Sequence, residues 1–66
     1  MKNKIKVYRA MRNMTQEELA LQLRVTRRTI NSIEGGKYNP SIEVAFRMAK
    51  LFAVPVEELF SLDEDE

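Results

Sequence analysis

Residues 15–41, TQEELALQLRVTRRTINSIEGGKYNPS, contain three helix starts and two helix stops within 27 positions. Thr15 stands before Gln16-Glu17-Glu18, a capping box in which Thr15 and Glu18 satisfy each other's end of the chain. Met14 and Leu19 flank that cap at the spacing of a hydrophobic staple. A helix over 16–23 follows, with Leu19, Ala20 and Leu23 on its inward face. Thr26 caps a second helix over 27–34, with Val25 and Ile30 as its staple. Gly35-Gly36 ends it, because glycine takes the left-handed C-terminal conformation without a Cβ penalty. Asn39-Pro40 then turns the chain and Ser41 caps a third helix. Two short helices joined by only Arg24-Val25-Thr26 must cross closely, and Ala20 leaves room for the crossing.

Outward from this stretch the chain stays helical. A helix over 3–12 carries Ile5, Tyr8 and Met11 as one apolar stripe on an otherwise basic surface. A helix over 42–52 places Ile42, Ala45, Phe46, Ala49 and Phe52 at helical spacing, which predicts a buried stripe. Pro55 opens a last helix over 56–60, with Val56, Leu59 and Phe60 apolar. No segment shows sustained alternation, so the expected class is all-α, a compact bundle of five short helices.

The 66 residues suffice for one domain. The chain lacks cysteine and histidine, which removes disulfides, thiolate metal sites and the commonest general base. Glu17/Glu18 and Glu57/Glu58 are helical neighbours that point about 100° apart, so they do not converge on one substrate. No phosphate-cradling glycine loop precedes a helix, and the sequence predicts neither an enzyme nor a bound cofactor or metal. With no long apolar run and no signal-type segment, a cytoplasmic protein is the expectation. The net charge of +1 conceals a division. Residues 63–66 read DEDE; residues 1–62 carry eleven Lys/Arg against six acids. A basic body of 1–62 with an acidic C-terminal tail of 63–66 suggests a polyanionic partner, or simply a solvated surface.

Helix 27–34 decides between those two. With Arg27 at 0° and about 100° per residue, Ile30 and Ile33 fall near 300° and 240°. Asn31, Arg28 and Ser32 fall near 40°, 100° and 140°, away from the core. Arg27 and Arg28 lie in a first turn whose dipole disfavours cations by roughly 0.3–1 kcal/mol each. A duplex would reverse that sign, since its phosphates welcome both the cations and the free N–H groups there.

The motifs T-Q-x-E-L-A, V-T-x-x-T-I, I-E-x-G-K and N-P-S, followed by A-V-P-V-E-E-L-F, resemble the Cro/C1-type (XRE-like) helix-turn-helix regulators. The resemblance covers about residues 3–60 and implies a lambda-repressor-like DNA-binding domain over 1–62 with the 27–34 helix in the major groove of double-stranded DNA. It implies base reading by Arg27, Arg28 and Ser32. Gln16, Thr26, Asn31, Lys37, Tyr38 and Asn39 would meet the DNA backbone, or backbone and bases together. Capping alone would also account for Thr26, packing for Tyr38, and solvent exposure for Gln16 and Asn31. Arg9 and Glu34 resemble the family's structural ion pair. Arg24 stands where the family usually has glycine in the turn, so a left-handed residue or a slightly different turn is expected there. The implied function is a sequence-specific transcriptional regulator, a repressor, acting in the cytoplasm on the nucleoid of a prokaryote or phage host. A homodimer joined through Val56, Phe60 and Leu62 is the expected assembly. A protein-interaction module, such as the antitoxin of a toxin–antitoxin pair, is the alternative.

Overall fold

The computed structural model describes residues 1–63. Its elements are β1 (Lys2–Asn3), α1 (Ile5–Met11), α2 (Gln16–Leu23), α3 (Arg27–Glu34), α4 (Ile42–Phe52), α5 (Val56–Leu59) and β2 (Phe60–Ser61). The five helices match the expected class. The middle three run over 16–23, 27–34 and 42–52, as the caps predict. Thr15 accepts from the Glu18 amide at 3.0 Å while Glu18 accepts from the Thr15 amide at 2.8 Å. Those bonds hold the Glu18 carboxyl below its usual range, the Thr15 backbone bond first. Thr26 and Ser41 accept from the amides of Thr29 and Val44, both at 3.2 Å.

The chain ends depart from the sequence expectation. Lys2 and Asn3 are extended, not helical, and pair antiparallel with Phe60 and Ser61, Lys2 opposite Ser61 and Asn3 opposite Phe60. The last helix therefore stops at Leu59. Pairing across almost the whole chain is invisible to local periodicity, and two residues are too few to show alternation. Asn3 secures this corner: its amide nitrogen donates to the Ile33 carbonyl at 2.9 Å, and its side-chain oxygen accepts from the Ile5 amide at 3.3 Å. The Met1 amino group meets an Asp63 carboxylate oxygen at 3.1 Å. Residue 63 of the acidic tail is thus tied to the body; the remaining tail positions, 64–66, lie outside the described residues.

One core joins all five helices. Ile5, Leu19, Leu23, Ile30, Ile33, Met48 and Leu59 are its fully enclosed large side chains, and Phe52 and Phe60 join them. Tyr8 lies against Phe52 with ring centroids 5.7 Å apart, and the Arg12 guanidinium stands 5.8 Å from the same ring. Three expected burials fail. Met11 is exposed and leaves Ile5 and Tyr8 to seat α1. On α4 the buried set is Ala45, Met48, Ala49 and Phe52, whereas Ile42 and Phe46 are 73% and 59% exposed. Apolar residues span a wide arc of α4, and only the packing of its neighbours selects which part is covered.

Helices α1 to α4 end alike. Asn13, Arg24, Gly36 and Ala53 are left-handed, with φ of 51°, 60°, 75° and 58°. In each case that residue's amide and the next reach back to carbonyls in the last turn, as when Gly36 bonds Ile33 and Lys37 bonds Ser32. At the α3 terminus it is Gly36 alone that is left-handed; Gly35 keeps helical geometry at φ −78°. A left-handed residue other than glycine costs roughly 1–2 kcal/mol. Ala53→Gly therefore raises the unfolding free energy by about 1 kcal/mol, less the extra chain entropy glycine brings to the unfolded state. For a domain this small the midpoint rises by up to about 4–8 °C, measurable by circular dichroism.

Candidate nucleic-acid interface

The α2–turn–α3 unit is built from two capped helices whose inward residues, Leu19, Ala20, Leu23, Ile30 and Ile33, share the core. Arg24 turns the chain between them with φ 60° and ψ 41°, so the position takes the left-handed geometry without glycine. Val25 tucks in beside the core, and its amide bonds to the Ala20 carbonyl at 3.0 Å. These contacts fix α3 against α2 and leave one side of α3 in solvent.

On that side Arg27, Arg28 and Asn31 are exposed and Ser32 is half-buried. Arg24 adds a further exposed cation at the same end of α3. Neither arginine of the first turn has an acid in that turn to offset it. Thr26 is occupied as a cap and its hydroxyl also lies 3.0 Å from the Thr29 hydroxyl. Beyond α3, Lys37, Tyr38 and Asn39 are all exposed, and Tyr38 is not taken into the core.

Beneath the exposed face lies a polar brace. Arg9 on α1 grips Glu34 at the end of α3 through two parallel bonds, Nε to Oε2 at 2.6 Å and a terminal nitrogen to Oε1 at 3.1 Å. Its other terminal nitrogen donates to the Met14 carbonyl at 2.9 Å. The Arg9 and Glu34 side chains are only 15% and 9% exposed. The bond to Glu34 raises the Arg9 pKa further above its already high value, against the opposing effect of burial. Gln16 completes the brace: its amide nitrogen donates to Glu34 Oε1 at 3.1 Å and lies 3.4 Å from Asn31 Oδ1. Asn31 and Gln16, from different helices, are thereby held side by side at the surface. Satisfied planar networks of this kind set side-chain direction as well as energy.

Two contributors carry no local sequence signal. Asn3 holds the α3 terminus from 30 positions away, and Arg47 on α4 lies 3.4 Å from the Leu23 carbonyl at the α2 terminus. Neither belongs to a motif; each matters only once the helices are placed. Among the described residues, no group of three or more His, Cys, Asp or Glu side chains is placed to hold a metal ion. Among the same residues, no helix is long and apolar enough to cross a membrane.

Comparison with known proteins agrees with this geometry. The profile of the helix-turn-helix family matches residues 5–59. An uncharacterized HTH-type transcriptional regulator of Methanocaldococcus jannaschii is 54% identical over 66 residues, covering all of both chains. An uncharacterized HTH-type regulator of Archaeoglobus fulgidus is 48% identical over the whole of this chain and 93% of its own. Among solved structures, the restriction-modification controller protein C.AhdI of Aeromonas hydrophila superposes with a TM-score of 0.75 at 25% identity, covering 85% of each chain. A basic, outward-facing α3 on a braced helix-turn-helix, matched over nearly its full length to such regulators, places this chain in the Cro/C1-type helix-turn-helix family of DNA-binding transcriptional regulators.

Proposed function

We propose that the protein binds a specific palindromic operator as a homodimer and represses transcription by occupying it. The observation that carries this reading is the exposed α3 face, where Arg27 and Arg28 stand without an acid in a first turn that disfavours cations and Asn31 is exposed one turn on. In this reading Arg27, Arg28 and Ser32 meet base edges in the major groove. Arg suits guanine through two parallel bonds, and serine donates or accepts as the base requires. Lys37, Tyr38 and Asn39 follow the phosphates beyond α3, while Thr26 and Gln16 meet the backbone near its start and Asn31 meets a phosphate or a base. Gln16 is already oriented by Glu34 and in turn holds Asn31, so little side-chain freedom is lost on binding.

The binding unit is the body of 1–62, and the acidic segment 63–66 opposes non-specific attraction to phosphate. The protein acts by binding, without catalysis or cofactor, in the cytoplasm where its DNA lies. Repression is the simplest consequence of occupancy, since a bound dimer excludes other proteins from the same groove. The antitoxin alternative gains no support from the regulators it resembles.

Selection of bound sequences from a random duplex pool tests the proposal directly. The expected result is one palindromic motif with half-sites about one helical turn apart. Recovery of unenriched sequences overturns it. Placing the recovered site over a reporter promoter then gives the sign: expression falls if occupancy represses and rises if it activates.

Lys37→Ala provides a companion test of the phosphate role. It weakens binding to all sequences alike and lowers the slope of log K against log salt by about one unit. A loss confined to the cognate site would assign Lys37 to base reading instead.

A further inference from the structure

We infer that Glu34 sets the hydrogen-bonding polarity of the surface that α3 offers to DNA. It turns the Gln16 amino group inward, Gln16 draws in the Asn31 carbonyl oxygen, and Asn31 presents only its amino group outward. Asn31 therefore meets a hydrogen-bond acceptor, a phosphate oxygen or an acceptor on a base edge, and not the exocyclic amino group of adenine or cytosine. This deepens the operator reading proposed above and rests on it.

The polarity starts at a group that has no choice. Paired through both oxygens with Arg9, the Glu34 carboxylate offers acceptors only. The Gln16 side chain, 3.1 Å from Glu34 Oε1, must therefore turn its amino nitrogen and not its oxygen toward it. That nitrogen carries two hydrogens. The second serves Asn31 Oδ1, 3.4 Å away, so Asn31 is also left one favourable orientation. Reversed, its amino group would face that of Gln16, donor against donor. Asn31 and Glu34 are three residues apart on α3 and share one flank, where Gln16 of α2 spans both.

Two atoms are left over. Among the described residues, Asn31 Nδ2 and Gln16 Oε1 have no hydrogen-bond partner. With its amino group spent, Gln16 meets a phosphate through its main-chain N–H in the first turn of α2. Of the polar side chains on the outer side of α3, Arg27, Arg28 and Asn31 then only donate, and Ser32 alone can also accept. Such a face suits phosphate and guanine, whose major-groove edge carries two acceptors. Glu34 and Gln16 are positioning residues, and Asn31 is the one that touches DNA.

Nuclear magnetic resonance of the free, isotope-labelled chain tests the polarity. The Gln16 side-chain amide protons exchange with water more slowly than those of exposed Gln22, while those of Asn31 exchange like those of exposed Asn39. Gln16 protons as fast as those of Gln22 overturn the inference. Operator duplexes with single groups removed test its consequence. Asn31→Ala weakens operator binding roughly 3–10-fold. Removing the DNA partner of Asn31 costs the wild type as much and costs Asn31→Ala nothing more. Deazapurines remove ring nitrogens, analogues without a base carbonyl remove those oxygens, and methylphosphonates remove phosphate oxygens, so the series separate base from phosphate. Glu34 is also half of the buried ion pair, so the link is cut at Gln16. Gln16→Met keeps its helical circular dichroism but frees the Asn31 amide to face either way, and the penalty for removing the partner shrinks about twofold. An unchanged penalty in Gln16→Met, an Asn31→Ala protein that binds like the wild type, or a partner that proves to be an exocyclic amino group overturns the inference and leaves the operator reading standing. Failure to select any operator overturns that reading together with it.

Discussion

Arg9→Ala and Glu34→Ala each lower the unfolding free energy by about 3–5 kcal/mol, because either leaves a largely buried charge without its partner. A domain of this size has roughly 3–10 kcal/mol in total, so either variant is expected to be partly or wholly unfolded at 37 °C. The size of the effect follows from the geometry. The pair is bidentate, and both side chains are mostly hidden from water. A surface pair of the same residues would be worth only about 0–1 kcal/mol. The network adds to the loss: Glu34→Ala also releases Gln16, and Arg9→Ala leaves the Met14 carbonyl unbonded. The double variant Arg9→Met/Glu34→Leu recovers most of the loss, since no buried charge remains. Urea denaturation followed by circular dichroism measures all three. A double variant whose loss equals the sum of the two single losses would show that Arg9 and Glu34 act independently. The raised pKa of Arg9 also has a sign. Its contribution is complete below the unfolded guanidinium pKa and would be lost only as pH rises through the still higher folded value. Arg9 thus stays charged through the whole neutral range.

Arg28→Ala is expected to weaken operator binding by about 1–3 kcal/mol and to relax preference at one base pair, with far less change on random duplex. Arg28 points out from the first turn of α3, and its guanidinium is not engaged by any acid of that turn. It pays the dipole penalty in the free protein and regains it only against an anionic surface. The stability of the folded chain should therefore stay the same or rise slightly in Arg28→Ala, by a few tenths of a kcal/mol. Titration of cognate and single-base-substituted duplexes at fixed salt reads the effect. Equal loss on cognate and random DNA would show that Arg28 grips phosphate. A fall in thermal stability would point to a packing role instead.

The two predictions separate the two demands on this small protein. In the proposed reading the brace at Arg9, Glu34 and Gln16 aims α3, and the arginines of its first turn are left for the ligand. Removing the brace damages folding and binding together. Removing an arginine damages binding alone.

Helix ends and the turn between α2 and α3 were legible from residues 15–41 because caps and staples are local chemistry. Thr15, Glu18, Thr26 and Ser41 make their bonds within three residues, so no distant partner is needed to place them. The outward face of α3 was legible for a related reason: Ile30 and Ile33 are its only large apolar residues and leave one way to turn the helix. Helix α4 gave no such choice. Its apolar residues, Ile42 and Phe46 among them, cover more than half its circumference, and burial was decided by where α2 and α5 lie. Likewise, the pairing of Lys2-Asn3 with Phe60-Ser61 and the reach of Asn3 to Ile33 join positions far apart in the chain. Local order thus follows from hydrogen bonds and spacing that a few neighbouring residues specify. The choice of which apolar surface is covered, and which remains exposed, belongs to the packing of the whole, because burial is shared among elements and no single segment encodes it.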